Sequence, residues 1–177
     1  MIKNIAVYCA ASNRIDPVYF QEAEVLGKML GQRNMHIING GGNIGLMRVI
    51  TDAVLSTGGT VTGVIPKFMV DRGLCHQRLT AVIETQTMHE RKKMMADLSD
   101  AVIALPGGYG TMEELLEIIT WRQLGLYKNP IIILNTNNFY SLLLEMFSHI
   151  VRERFVRDGH VRLWHVAHTP QEAVALI

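Results

Sequence analysis

The chain has 177 residues, 49% hydrophobic and 19% charged, with a net charge of +1; these values fit one globular domain over 1–177 and exclude a disordered chain. So neutral a balance leaves no footprint for nucleic acid, although a small anion needs only a few placed cations. Cys9 and Cys75 lack CxxC spacing and no apolar run approaches the ~20 residues of a membrane span, so the reading is a cytoplasmic, soluble protein without a disulfide framework, structural zinc, signal peptide or membrane span.

In chain order, Ile5–Cys9 reads as a buried strand, and Asp16-Pro17 opens a helix through Leu30, with Pro17 suited to its first turn. Met35–Ile38 is a second strand, followed by Asn39-Gly-Gly-Gly-Asn-Ile-Gly45 and a helix to about Ser56. Thr60–Ile65 is a third strand closed by Pro66, and the aperiodic segment from Lys67 to Arg78 reads as a surface loop. Leu79–Ile83 is a short strand, Thr85–Leu98 a helix, Ala101–Leu105 a strand, Thr111–Leu124 a helix and Pro130–Leu134 a strand. A long amphipathic helix over Phe139–Phe155, a turn at Asp158-Gly159, a strand at Trp164–Ala167 and a short helix from Thr169-Pro170 complete the chain. Continuous apolar strands alternating with helices predict an α/β fold, a Rossmann-like doubly wound parallel sheet between two helical layers. Such sheets bind ligands beyond the carboxyl ends of their strands.

Two glycine-rich turns fall between a strand and a helix. The first, Gly40-Gly41-Gly42-Asn43-Ile44-Gly45, matches GxGxxG only formally: it follows the second strand, and no acidic residue stands after Ile65 to hold an adenine ribose. A nicotinamide cofactor is therefore not expected, and glycines that merely allow a tight turn are one open reading. The second, Pro106-Gly107-Gly108-Tyr109-Gly110-Thr111-Met112-Glu113-Glu114, turns backbone amides toward a helix start, where a phosphate can bind. No lysine follows, so it is not a Walker A loop. Thr111 and Glu114 also have capping-box spacing, and the two roles are compatible.

In Met88–Leu98, Met88, Met94, Met95 and Leu98 fall on one helical arc with Arg91 in its middle and Lys92 at its edge. A guanidinium among core residues calls for an anionic partner, a ligand or a carboxylate; the alternative is a stem lying on apolar surface with its head in water. His89-Glu90 lacks the second histidine of HExxH, His165 and His168 have no third ligand, and Arg152, Arg154 and Arg157 form a solvated mixed-charge surface, so no metal is expected.

With Pro106–Glu114 as PGGxGTxxE, Met88–Lys92 as its companion and Gly40–Met47 as the glycine turn, the chain resembles the Lonely-guy family of cytokinin riboside 5'-monophosphate phosphoribohydrolases, long labelled lysine decarboxylases. Similarity also covers Val7–Tyr19 and Thr120–Asn135, nearly the whole chain. The resemblance implies a homodimer without a cofactor. It implies hydrolysis of adenosine monophosphates, N6-modified or plain, to free base and ribose 5-phosphate, with Arg91 and Glu114 essential. Substrate contacts are expected from Ser12, Gly41, Gly42, Met88, Lys92, Gly107, Gly108, Tyr109, Gly110, Thr111, Glu113 and Thr120. Ala10, Arg48 and Gly73 depart from the family pattern; Gly73 stands where a nucleotide-contacting glutamate is common, which bears on base preference. The alternative is a nucleotide-binding carrier or sensor on the same architecture, without hydrolysis.

Overall fold

The computed structural model describes residues 2–157, 160 and 162–177, so the turn read at Asp158-Gly159 lies outside the described residues. Among the described residues, seven parallel strands form one sheet in the order β4-β3-β2-β1-β5-β6-β7. They are β1 (Asn4–Tyr8), β2 (His36–Asn39), β3 (Thr60–Pro66), β4 (Ala81–Thr85), β5 (Ala101–Ala104), β6 (Ile131–Leu134) and β7 (His165–Ala167). The helices are α1 (Pro17–Gln32), α2 (Gly45–Ser56), α3 (Lys67–Asp71), α4 (Met88–Asp97), α5 (Tyr109–Gln123), α6 (Ser141–Arg152) and α7 (Pro170–Ala175).

Alternation within the strands sends side chains into two cores. Ile5, Val7, Ile37 and Ile103 pack with Leu26, Leu30, Ile50 and Val54 of α1 and α2 on one face. Ala6, Tyr8, Val102 and Ile133 pack with Met95, Leu115 and Ile118 of α4 and α5 on the other. Strands buried on both faces have no polar side, so they read as unbroken apolar runs. After β4 at one edge the chain returns to lay β5 against β1, in register Ile5 with Ala101 through Tyr8 with Ala104. The order reverses there, and the segments leaving β1 and β5 diverge into the crevice where a ligand fits.

Several sequence expectations are corrected. The supposed loop after Pro66 contains α3, whose five residues are too few to show a period. It ends at Gly73, with φ +69, where Gly73 N–H bonds Val70 O at 2.8 Å and Leu74 N–H bonds Met69 O at 3.1 Å, a glycine-capped helix end. Thr85 belongs to β4 rather than α4, which begins after an N-cap at Thr87. The buried arc of α4 is Arg91, Lys92, Met95 and Ala96, while Met88, Met94 and Leu98 are 42%, 36% and 37% exposed. Hydrophobicity alone assigned the arc; carboxylate partners for the two cations rotate it.

Candidate active site

The segment after β5 enters α5 at Tyr109, two residues before the predicted start, with Gly108 as the N-cap and no side chain capping it. The first helical bond runs from Met112 N–H to Gly108 O at 3.0 Å, which leaves the amides of the first turn free to meet a ligand. The Thr111–Glu114 capping box is therefore absent: Thr111 is already inside the helix, and Glu114 turns inward. Boxes of this kind do occur at α4, where Thr87 accepts from Glu90 N–H at 3.1 Å, and at α7, where Thr169 accepts from Glu172 N–H at 3.2 Å. Thr111 packs onto Gly107, where any Cβ would collide with its side chain.

Glu114 meets Arg91 across the gap between α5 and α4. Arg91 Nη1 donates to Glu114 Oε1 at 2.6 Å, and Arg91 Nε donates to Val64 O of β3 at 3.0 Å. Both side chains are about nine-tenths buried. A Cβ on Gly40 would collide with Arg91 Nη2, so the first glycine turn makes room for the guanidinium. Burial pushes the Glu114 carboxyl above its ordinary pKa, and Arg91 opposes that rise. The arrangement holds an ionisable carboxylate in a fixed direction within a low-dielectric pocket, the usual preparation for general base or electrostatic work.

Lys92, the other buried cation of α4, is ion-paired with Glu113 and reaches Glu117 at 3.1 Å. Burial lowers its pKa, but these two carboxylates outweigh burial and raise it, so the ammonium persists. Its partner Glu113 faces the same cavity as Glu114. Cys9, on the cavity wall, has its thiol pushed up by burial and is no nucleophile at neutral pH.

A cavity of about 400 Å³ opens over these groups. It gathers Ser12, Met88, Arg91, Gly108, Gly110, Thr111, Glu113 and Glu114 of the predicted site. Gly108 and Gly110 have open space where a Cβ would stand, so a ligand can approach their backbone. Gly107 faces a neighbouring apolar pocket of about 250 Å³, and Tyr109 is 96% exposed. Lys92 lies behind Glu113 rather than on the wall. Thr120 donates its hydroxyl to Leu116 O at 2.8 Å and lines a separate cavity between α5 and α6.

Gly41 and Gly42 do not offer free amides. Gly41 N–H bonds Asn39 Oδ1 at 2.9 Å, and Gly42 N–H meets Met47 Sδ at 3.0 Å. Met47 and Met69 on the cavity wall escaped the sequence reading. Met47 stands in the family-like stretch Gly40–Met47 and was within reach; Met69 lies on α3, a helix too short to show a period. Of the departures, Ala10 lines the cavity, Arg48 is exposed and lies 3.5 Å from Asp52, and Gly73 serves the end of α3. Among the described residues no cluster of three or more potential metal ligands occurs.

Comparison with known proteins places this geometry in context. The fold matches the molybdenum cofactor binding protein of Rippkaea orientalis with a TM-score of 0.77 at 20% identity, covering 99% of this chain and 95% of that one. The molybdenum cofactor carrier protein of Chlamydomonas reinhardtii matches with a TM-score of 0.75 at 22% identity, again over 99% and 95%. Identities this low speak to the fold alone. The cytokinin riboside 5'-monophosphate phosphoribohydrolase LOG of Oryza sativa subsp. japonica is 42% identical over 172 residues, 97% of this chain and 71% of that protein. The Arabidopsis thaliana enzyme of the same name, LOG2, is 44% identical over 161 residues, 91% and 76% of the two chains. The family described as possible lysine decarboxylase matches residues 47–177, and with these relatives it establishes that the chain belongs to the family of the LOG phosphoribohydrolases.

Proposed function

We propose that the chain hydrolyses the N-glycosidic bond of adenosine 5'-monophosphates, including N6-modified ones, to free base and ribose 5-phosphate. The observation that carries this reading is the 2.6 Å Arg91–Glu114 pair beside the uncapped start of α5, in one cavity. The 5'-phosphate sits on the amides of Gly108–Thr111 and the Thr111 hydroxyl, and its binding energy holds the ribose near Glu114. Glu114 orients a water and takes its proton as oxygen attacks the anomeric carbon; the C1'–N bond breaks, and its electron pair leaves with the base, which is protonated from solvent. The carboxylate also stabilises positive charge developing on the ribose. Arg91, already committed to Val64 O and Glu114, positions the carboxylate and offers its remaining N–H groups to ribose or phosphate oxygens. Glu113, held by Lys92, supplies a second acceptor for ribose hydroxyls.

A non-catalytic carrier on the same fold is the weaker reading, because binding alone does not need a buried, aimed carboxylate. Incubation with AMP and with N6-isopentenyl-AMP, followed by detection of free base, separates the two. Glu114→Gln should lower kcat by about 1000-fold while AMP still binds, and turnover near that of the unaltered enzyme would remove Glu114 from the chemistry. The same reading includes a homodimer, with a second copy covering exposed Leu98 and, beyond the Ser99–Tyr127 hydrogen bond, Leu124 and Leu126. Sedimentation at micromolar concentration tests that mass. Its setting is the cytoplasm, where Cys9 and Cys75 stay free thiols.

A further inference from the structure

Arg91 is held on three sides, by Val64 O, by Glu114 and by the backbone of Gly40, against which its Nη2 lies. Two of these supports belong to β3 and α5. The third is a run of three glycines with no side chains of its own to fix it, and Gly41 takes a left-handed φ of +69. Part of its order comes from outside. Residues 74–76 run antiparallel beside it, with Asn43 N–H bonded to Leu74 O at 3.0 Å, Gly42 bridged to Cys75, and His76 N–H bonded to Gly41 O at 2.8 Å.

His76 anchors that segment with its ring. The side chain is buried, and both nitrogens are engaged. Nδ1 accepts from Arg78 N–H at 3.1 Å, so the proton stands on Nε2 and is donated to Asp52 Oδ1 at 3.0 Å. Asp52 lies on α2, where Arg78 also pairs with it and Arg48 approaches at 3.5 Å. Burial raises the Asp52 pKa, but Arg78 and His76 outweigh burial and keep the carboxylate ionised. A ring held at both nitrogens does not turn, so the amide of His76 stays aimed at Gly41. Neither His76 nor Asp52 lines the active cavity. Resting on the hydrolase reading, we infer that His76, oriented by Asp52, is a positioning residue for the reaction. It fixes the first glycine turn against Arg91 and, through Arg91, the direction of the Glu114 carboxylate. Phosphate binding on α5 does not run through these contacts, so their loss falls on kcat rather than KM.

The test measures base release from AMP by the unaltered enzyme, His76→Ala, His76→Gln and Asp52→Ala. His76→Ala should lower kcat about tenfold or more and change KM less than about twofold, since misplaced reacting groups cost rate and not binding. Glutamine offers an amide N–H to Asp52 as the ring does, so His76→Gln should recover most of kcat. Asp52→Ala, on the partly exposed side of α2, should show the same split at about threefold or more, and it decides the matter if His76→Ala does not fold. Combined with Gly40→Ala, His76→Ala should cost less than about threefold further, because both act on one guanidinium. Unchanged kcat in the alanine variants, KM rising in step with falling kcat, a glutamine variant no better than alanine, or losses that multiply in the double variant each overturn the inference and leave the hydrolase reading intact. Failure of the unaltered enzyme to release base overturns that reading, and this inference with it.

Discussion

Two helices begin at glycine-rich turns on the same crevice, and their ends could hardly be used more differently. At α2 the chain supplies its own acceptors: Gly45 N–H bonds Asn13 Oδ1 at 2.9 Å, and Leu46 N–H bonds Ala10 O at 2.9 Å, with Met47 N–H 3.4 Å from the same oxygen. At α5 no side chain caps the first turn, and it faces a cavity. The positive end of one helix is thus neutralised in folding, whereas that of the other is left open to the cavity. A run of glycines does not tell these cases apart. What decides is whether a neighbouring segment reaches back to the amides.

The comparison sharpens most at Gly40, because the closed turn serves the open one through it. A methyl there collides with Arg91 Nη2, so Gly40→Ala should swing the guanidinium from Glu114 and lower kcat by about 100-fold. Thermal unfolding within a few degrees of the unaltered protein would show that the loss is local. Unchanged kcat would mean that the pair tolerates displacement and that Arg91 does not position Glu114.

The pH dependence follows from the same pair. Burial raises Glu114 above an ordinary glutamate, and Arg91 restrains the rise. Since the proposed base must be ionised, kcat/KM should fall on the acid side through a pKa above the ordinary carboxylate range, and Gly40→Ala should move that limb higher still. A limb below pH 4 in the unaltered enzyme would contradict the burial argument. At the open turn, Thr111→Val keeps the shape and removes a hydroxyl from the proposed phosphate site. KM for AMP should rise about tenfold, as for one lost hydrogen bond to a charged group, and an unchanged KM would place the phosphate elsewhere.

The parallel sheet was readable because its central strands, β1, β5 and β6, are apolar and buried on both faces, and β1, β2, β3, β5 and β6 stand within one or two residues of expectation. Arg91 was suspect in sequence as a charge where the helix turns inward, and Glu114 rested on resemblance; the structure joins them. Lys92 shows the limit of pattern reading. It was placed at the edge of a methionine arc, but Glu113 and Glu117 draw it inside and leave Met94 and Leu98 at the surface. Charge partners from another helix cannot be seen in the periodicity of the first. Met69 was hidden for a different reason, since a five-residue helix makes too little of a period to detect.

Asn13 provides the smallest effect and the cleanest contrast with Thr111. It caps the α2 amide of Gly45 from outside the helix and does not line the active cavity. Asn13→Ala should therefore destabilise the fold by about 1 kcal/mol, the usual cost of losing such a cap, with kcat and KM for AMP unchanged. Urea unfolding gives the first quantity and initial rates give the second. If KM rose instead, with stability intact, the closed turn would have to take part in binding phosphate. The two glycine turns would then share one ligand rather than divide the work of folding and binding.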